Sequence, residues 1–197
     1  MMKIPPKISF PLEDFCKNVI QIDTGKFFHH CAIAGGGALK CWESSYSNEK
    51  TWANLPTSTI DLGTGMTAKQ VAVGSQHKCV ILNDDTLRCW GEGDNGRLGI
   101  GSSTDQSTPQ TVNLGTGMTA KQVALGQLFT CAILNDDTVK CWGSGYYGQL
   151  GQTDKNDKNT PQTVSNYKAK QIILIQQLLL SWSQESLILR EIISFKI

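Results

Sequence analysis

The sequence has no excess of charge of either sign. Its 197 residues contain 18 Lys and Arg against 17 Asp and Glu, a formal net charge of +1. Because a nucleic-acid backbone is bound by a basic surface, the sequence does not predict DNA or RNA as a partner. Charged residues make up only 18% of the chain and apolar residues 40%, so the composition favours a folded protein with a buried core.

Long apolar runs are also absent. No run of about 18 apolar residues occurs, which is the length that a membrane-spanning helix requires, so membrane binding is not expected. The N-terminal segment MMKIPPKISFPLEDF has prolines where a secretory signal has an apolar stretch. No signal peptide is visible, and the sequence leaves the compartment unknown.

Histidine is scarce, with three residues in the chain. His29 and His77 each stand two residues before a cysteine, and the matching position further along the chain is Phe129. A position that accepts phenylalanine fills space, so we interpret both histidines as structural. No Ser/His/Asp or Cys/His arrangement can be built from them, so the sequence predicts neither an enzyme nor a cofactor.

An internal repeat is what the sequence has instead. The segment LGTGMTAKQVA occurs at 62–72 and again at 114–124, an offset of 52 residues that also relates two copies of ILNDDT and of TPQTV. A degenerate copy lies 48 residues upstream of the first of these two copies. The repeat predicts a leader at 1–18, three units at 19–66, 67–118 and 119–168, and the start of a fourth at 169–197 that breaks into an aberrant apolar tail.

Each unit has the pattern of antiparallel β-structure. The runs 78–82 and 86–90 are separated by Asn83, Asp84 and Asp85, residue types that favour tight turns. About fifty residues of short strands and turns make about four strands. Such a sheet cannot bury both of its faces alone, so it must stack on its neighbours.

The motif CWGxGxxGxLG at 89–99 and 141–151, with PxxV downstream and VAxGxx[HF]xC upstream, resembles the regulator of chromosome condensation repeat. The resemblance covers roughly residues 19–171 and implies a β-propeller, usually of about seven blades. We therefore predict an all-β fold, an incomplete β-propeller of about three four-stranded antiparallel blades. A non-repeat C-terminal tail follows, whose apolar residues have helical spacing.

Six of the seven cysteines form three pairs with the spacing Cys-x9-Cys. Paired residues in a hairpin centred on Asp84 lie opposite each other, which suits a disulfide. Buried free thiols between blades are the alternative, and metal or redox roles a third. Disulfides would favour an oxidising or extracellular setting. The pairs are Cys31 and Cys41, Cys79 and Cys89, and Cys131 and Cys141.

The string GxGxxG at 91–96 and 143–148 is also found in dinucleotide-binding sites, where it joins a parallel strand to a helix. Here it follows a hairpin strand and recurs with the repeat. We interpret it as a turn that requires positive φ and predict no nucleotide site. Trp42, Trp90 and Trp142 recur likewise and are predicted to pack between blades.

Two polar loops differ between the copies, and variable loops at the rim of a propeller are where a partner is recognised. We predict that they contact another protein. A calcium site in the second loop is not predicted, since the glycine and terminal glutamate of a calcium loop are missing. The candidate contact residues are Ser102, Ser103, Thr104, Asp105, Gln106, Asp154, Lys155, Asn156 and Asp157.

Three blades cannot close a ring, since closed propellers have about four to eight. The sequence therefore predicts a fragment of a larger repeat protein, a ring of several copies, or an open arc that self-associates through its blade edges. We predict a non-catalytic protein-interaction module. The alternatives are a guanine-nucleotide-exchange regulator of a small GTPase, one of the roles that the resemblance implies, and a secreted or surface structural repeat protein.

Overall fold

The computed structural model describes residues 18–26, 29–43 and 59–171. Their eleven strands form three antiparallel sheets, which we call the first, second and third blades. The first blade contains β1 (Val19–Thr24), β2 (His29–Ala34) and β3 (Leu39–Glu43). The second contains β4 (Ala68–Val73), β5 (His77–Leu82), β6 (Leu87–Gly91) and β7 (Gln106–Thr111). The third contains β8 (Ala120–Leu125), β9 (Phe129–Leu134), β10 (Thr138–Gly143) and β11 (Lys158–Lys168).

The predicted all-β architecture is confirmed. Neighbouring strands in each blade are consecutive in the chain, so every blade is a simple meander. The second and third blades have four strands, and the first has three in the residues described. The seventh cysteine, Cys16, the leader up to residue 17 and the apolar tail beyond residue 171 fall outside the described residues, and the unit boundaries stay predictions.

The hairpin turns explain why the Asn-Asp-Asp sequence recurs. Asp85 and Asp137 adopt the left-handed conformation, with φ of 64° and 70°, which aspartate tolerates better than most residues. The Asp84 carboxylate accepts hydrogen bonds from the Thr86 N–H at 3.0 Å and from the Thr86 hydroxyl at 2.7 Å. In the first blade Gly37 stands at the position of Asp85, with φ of 77°, and glycine needs no such support.

The hydrophobic core lies between blades, as a stack of repeats requires. One cluster joins the first blade to the second and includes Ile33, Val71 and Trp90. Another joins the second to the third and includes Leu98 and Trp142. The predicted inter-blade position is therefore confirmed for these two tryptophans. Trp42 of the first blade is only half-buried.

The glycine-rich motif forms a turn, as predicted. After β6 the chain makes a single 3-10 turn at Asp94–Gly96. Gly99 has a φ of +72°, and a Cβ there would lie 2.5 Å from the Nε1 atom of Trp142. The motif therefore allows a left-handed turn and close packing of one blade on the next, and the turn lacks the helix N-terminus that receives a pyrophosphate.

The predicted cysteine pairing is confirmed. Each pair lies directly opposite across a hairpin, and the two sulfur atoms are bonded at 2.10–2.12 Å. Each bridge ties the two central strands of a blade together.

The described residues contain no helix long and apolar enough to cross a membrane.

Candidate functional site at the loop face

One end of the three blades carries two clusters of charged side chains at the blade junctions. It is formed by the short connection between the first two strands of each blade and by the long connections at 92–105 and 144–157. We call this end the loop face. Antiparallel strands place both kinds of connection at the same end of a sheet, so the two predicted contact loops belong to this face.

The short connections converge across all three blades. The Nζ atom of Lys26, in the first blade, donates a hydrogen bond at 3.0 Å to the side-chain oxygen of Gln127, in the third. The Ser75 hydroxyl of the second blade donates to the Gln127 backbone carbonyl. Because Lys26 reaches past the second blade, these residues lie where the blades come closest to each other.

A charged cluster fills the junction between the first and second blades. The nearly buried Lys78 ammonium lies 3.2 Å from His29 Nδ1 and 3.5 Å from the exposed Glu43 carboxylate, which is itself 3.0 Å from His29 Nδ1. Burial lowers the pKa of Lys78, and the charge of Glu43 opposes that shift. Burial and the Lys78 charge lower the pKa of His29. The cluster thus buries a cation and leaves a carboxylate at the surface.

A second charged cluster lies at the junction of the second and third blades. The buried Arg97 guanidinium is 3.3 Å from the Glu92 carboxylate and 3.4 Å from that of Asp94. Its backbone carbonyl accepts hydrogen bonds from the Thr130 hydroxyl at 2.9 Å and the Trp142 Nε1–H at 3.0 Å. Arg97 therefore connects the surface carboxylates to the core of the next blade.

His77 is buried beside this second cluster. Its Nε2 atom lies 3.0 Å from the Thr130 hydroxyl, whose proton is already donated to Arg97. The histidine must therefore carry its proton on Nε2. Burial, with the charges of Arg97 and Lys78, lowers the pKa of His77 to about 3. The residue is a neutral packing element, as the phenylalanine at the matching position predicted.

The predicted contact loops form the outer rim of the loop face. Asp105 accepts a hydrogen bond from the Gly93 N–H at 2.9 Å, and Asp157 accepts one from the Gly145 N–H at 2.9 Å. Asp157 also accepts from the Asn95 side chain at 2.7 Å. These two aspartates therefore hold the rim loops together, a role that the variability of the loops did not predict.

The other candidate residues lie on the surface of the rim or at its edge. Asp154 accepts a hydrogen bond from the Asn156 N–H at 2.9 Å and pairs with Lys158. The remaining candidates are exposed or half-buried: Ser102, Ser103, Thr104, Gln106 and Lys155. Their contact with a partner stays a prediction.

An exposed aromatic pair on the rim was missed by the sequence analysis. The rings of Tyr146 and Tyr147 meet edge to face, with centroids 4.8 Å apart, and their side chains are 68% and 39% exposed. Both lie inside the second GxGxxG string, which was interpreted as a turn alone. The available signal was that two large side chains occupy positions held by Asp94 and Asn95 in the preceding copy.

The chemistry of the loop face suits non-covalent binding. It presents exposed carboxylates, amides and two phenol rings, and the buried cations Lys78 and Arg97 lie beside the carboxylates of Glu43, Glu92 and Asp94. Over the ranges that the structure describes, no group of three or more His, Cys, Asp and Glu side chains could hold a metal ion.

Two family models, both described as the regulator of chromosome condensation (RCC1) repeat, match the chain. One matches residues 84–133 and 136–176, and the other residues 68–97 and 120–149. Together they span more than half of the chain. Each copy of the first model begins in the β-turn of one blade, so the sequence repeat and the structural blade are out of phase.

Curated relatives contain the same repeat. The Arabidopsis thaliana ultraviolet-B receptor UVR8 is 32% identical over 111 residues, which is 56% of this chain and 25% of the receptor. The human E3 ubiquitin-protein ligase HERC2 is 27% identical over 163 residues, which is 80% of this chain and 3% of the ligase. The chain thus spans a quarter or less of these relatives.

Solved structures show the same fold. Human WBSCR16 matches with a TM-score of 0.64 at 21% identity, over 77% of this chain and 41% of that one. Prp20p from Saccharomyces cerevisiae matches with a TM-score of 0.63 at 20% identity, over 76% of this chain and 39% of that one. Prp20p binds Gsp1p and histones.

Proposed function

This chain belongs to the RCC1 repeat family, whose propellers are of a kind used in protein interaction, and from that premise we propose that it is a non-catalytic docking module. Its blades form a rigid scaffold, and its loop face binds another protein through the rim. The matched relatives are much longer than this chain. Binding to a partner, and any activity of a larger protein that contains these blades, are therefore proposals.

The exposed Tyr146 is the observation that supports this proposal. Its counterpart in the second blade, Asp94, has a side chain that is 74% exposed although the third blade packs beside it. The position therefore stays at the surface when another blade follows. An aromatic side chain at such a position is not explained by blade stacking, because stacking does not cover it.

Tyrosine is well suited to a contact of this kind. It offers a large apolar area and a hydroxyl group while losing little conformational entropy, and it is enriched among the residues that dominate binding energy. The edge-to-face contact with Tyr147 holds both rings in place. Exposed carboxylates around the pair would orient a partner without adding much affinity of their own.

Binding to purified proteins tests the proposal. Histones and Gsp1p are rational probes because the structurally similar Prp20p binds both. We expect the Tyr146→Ala/Tyr147→Ala variant to bind at least about tenfold more weakly than the native chain. Met118→Ala is the matched control, since Met118 is exposed on the opposite end of the blades.

Binding of neither probe, or equal binding by the native chain and the tyrosine variant, would contradict the proposal. The same samples address the exchange-factor alternative through the rate of GDP release from Gsp1p, which we expect to be unchanged.

Thiol counting in denaturant addresses the alternative of a secreted structural protein. A chain isolated from its native source with one reactive thiol out of seven would favour an oxidising compartment.

A further inference from the structure

The inner edges of the second and third blades are bonded to the preceding blade. The Gln21 amide donates to the Val71 carbonyl at 2.8 Å and accepts from the Val71 N–H at 2.9 Å. Gln70 makes the same pair of bonds to Val123, at 3.0 and 3.1 Å. These bonds occupy backbone groups that an edge strand would otherwise offer to another chain.

The outer strands β7 and β11 are the last strands of these two sheets in the residues described. Both contain the sequence Thr-Pro-Gln, at 108–110 and 160–162. The pairing of β7 skips from Gln110 to Gln106 while β6 advances by two residues, so three residues of β7 lie opposite one residue of β6. The third blade has the same bulge in β11. A bulge of this kind interrupts the hydrogen-bond ladder of a strand.

The proline of the Thr-Pro-Gln sequence removes a donor from the outer edge. The Val112 N–H donates to the Leu87 carbonyl at 2.9 Å, so the backbone groups of Val112 and of Gln110, two residues earlier, face β6. The backbone of Pro109, the next residue, therefore faces the outer side, where a proline nitrogen carries no hydrogen. Pro161 has the same place in β11.

The glutamine of the same sequence occupies an acceptor. The Gln110 side-chain amide donates to the Thr108 carbonyl at 3.1 Å and to the Thr108 hydroxyl at 3.0 Å. Gln162 makes the same two bonds to Thr160, at 3.1 and 3.0 Å. A strand that added to either edge would therefore meet a proline without a donor, next to a carbonyl that already accepts a hydrogen bond.

The third blade has two further contacts of this kind. The Asn159 carbonyl accepts from the Gly101 N–H at 2.8 Å, and the Asn159 side chain donates to the Gly101 carbonyl at 3.0 Å. The Gln152 side chain donates to the Thr163 carbonyl at 3.0 Å, a bond that Ile100 cannot make at the matching position of the second blade. Backbone groups are therefore occupied at more positions along β11 than along β7.

We propose that the two Thr-Pro-Gln sequences are edge caps, which prevent β7 and β11 from pairing with a strand of another molecule. Each cap combines a missing N–H, an occupied carbonyl and a bulge at consecutive residues. Self-association through blade edges, one of the outcomes that the sequence predicts, then does not use these two edges. The inference is independent of the proposed docking function, because it concerns a different surface.

Restoring the missing donors tests the proposal. Pro109→Val/Pro161→Val gives each outer strand a backbone N–H and a side chain that favours β-structure. We expect this variant to aggregate at least about tenfold faster than the native chain, with a rise in thioflavin T fluorescence that reports strand addition. Thr64→Val/Thr116→Val is the matched control, since it adds two valines at exposed turns, and we expect it to behave like the native chain.

A second variant, Gln110→Ala/Gln162→Ala, frees the two carbonyls and keeps both prolines. We expect it to aggregate faster than the native chain but more slowly than the proline variant, and it keeps the proposal testable if the proline variant does not fold. All chains are compared at a temperature at which far-ultraviolet circular dichroism shows them folded. Native-like behaviour of the folded variants would overturn the proposal. Equal aggregation of the proline variant and the valine control would also overturn it, because added apolar surface would then explain the effect.

Discussion

The second and third blades have nearly the same sequence and structure, whereas the first blade forms a similar sheet from different residues. In the second blade, Lys69 on β4 pairs with Asp85 of the turn at 2.6 Å, and the third blade repeats this with Lys121 and Asp137 at 2.7 Å. The first blade has Ile20 and Gly37 at these places. It keeps the cross-strand disulfide, and through Gln21 it keeps the contact to the following blade.

The comparison distinguishes the features that the blade fold requires from those that only some blades have. The hairpin and the disulfide occur in all three blades, and the glutamine contact occurs at both junctions between them, so these features belong to the scaffold. The Lys–Asp pair and the Asp turn are absent from the first blade, so the blade fold does not require them. The predictions below use pairs of equivalent residues to measure this difference.

The largest difference is expected between two equivalent tryptophans. Trp142 is fully buried and hydrogen-bonded to Arg97, whereas Trp42 is half-buried. We expect Trp142→Ala to lower the free energy of unfolding by about 3–5 kcal/mol and Trp42→Ala to lower it by less than half as much. Urea denaturation measures both. Equal losses would show that Trp42 is packed as tightly as Trp142.

Two glycines with the same backbone conformation give the next contrast. Gly96 and Gly148 have φ of +77° and +80°, but a Cβ on Gly96 would overlap Asn159 of the third blade, whereas nothing lies within 4 Å of one on Gly148. Gly148→Ala should cost about 1–2 kcal/mol for the left-handed backbone alone, and Gly96→Ala clearly more. Thermal unfolding of the two variants tests this. Equal costs would mean that the blades do not approach at Gly96.

His77 and Phe129 distinguish the second and third blades by pH. The pKa of His77 in the folded protein is lowered to about 3. Below pH 6.5 the unfolded chain therefore binds a proton at His77 that the native chain does not bind. As a result, the free energy of unfolding decreases as the pH is lowered. At pH 5 this loss is about 2 kcal/mol. His77→Phe should remove it, so the difference in stability between pH 7 and pH 5 should shrink. An unchanged difference would show that His77 titrates in the folded protein.

The smallest effect is expected at the turn of the third blade. Hydrogen bonds from Lys121 and Lys170 lower the pKa of Asp137 to about 2. A depressed carboxylate pKa stabilises the folded state above the unfolded value near 3.8, and this contribution is lost as the pH falls from about 4 to 2. Carboxyl carbon chemical shifts should follow the titration. Lys170→Ala should move the midpoint upward, and an unmoved midpoint would show that residue 170 is not at the turn.

The sequence predicted those parts of the fold that recur. The offset of 52 residues, the Asn-Asp-Asp turn and the Cys-x9-Cys spacing were sufficient for the hairpins, the disulfides and the inter-blade position of Trp142. These features depend on residues close together in the chain or on a repeated environment.

The contacts between blades were harder to predict. The recurrence of Gln21 and Gln70 was visible, but their bonds to Val71 and Val123 join residues 50 and 53 positions apart, and only the packing of blades brings them together. Asp157 was predicted to contact a partner because its loop is variable, and that contact stays a prediction; its bonds to Gly145 and Asn95 were not predicted. Loop variability does not distinguish a contact residue from one that shapes the loop.

Hydrogen exchange at three equivalent backbone amides tests most directly that blades bury their inner edges against one another. The account predicts slow exchange at Val71 and Val123, whose N–H groups are bonded to glutamines of the preceding blade. At Ile22, whose side chain is 60% exposed, it predicts fast exchange in dilute solution. Exchange at Val71 and Val123 as fast as at Ile22 in dilute solution would contradict it.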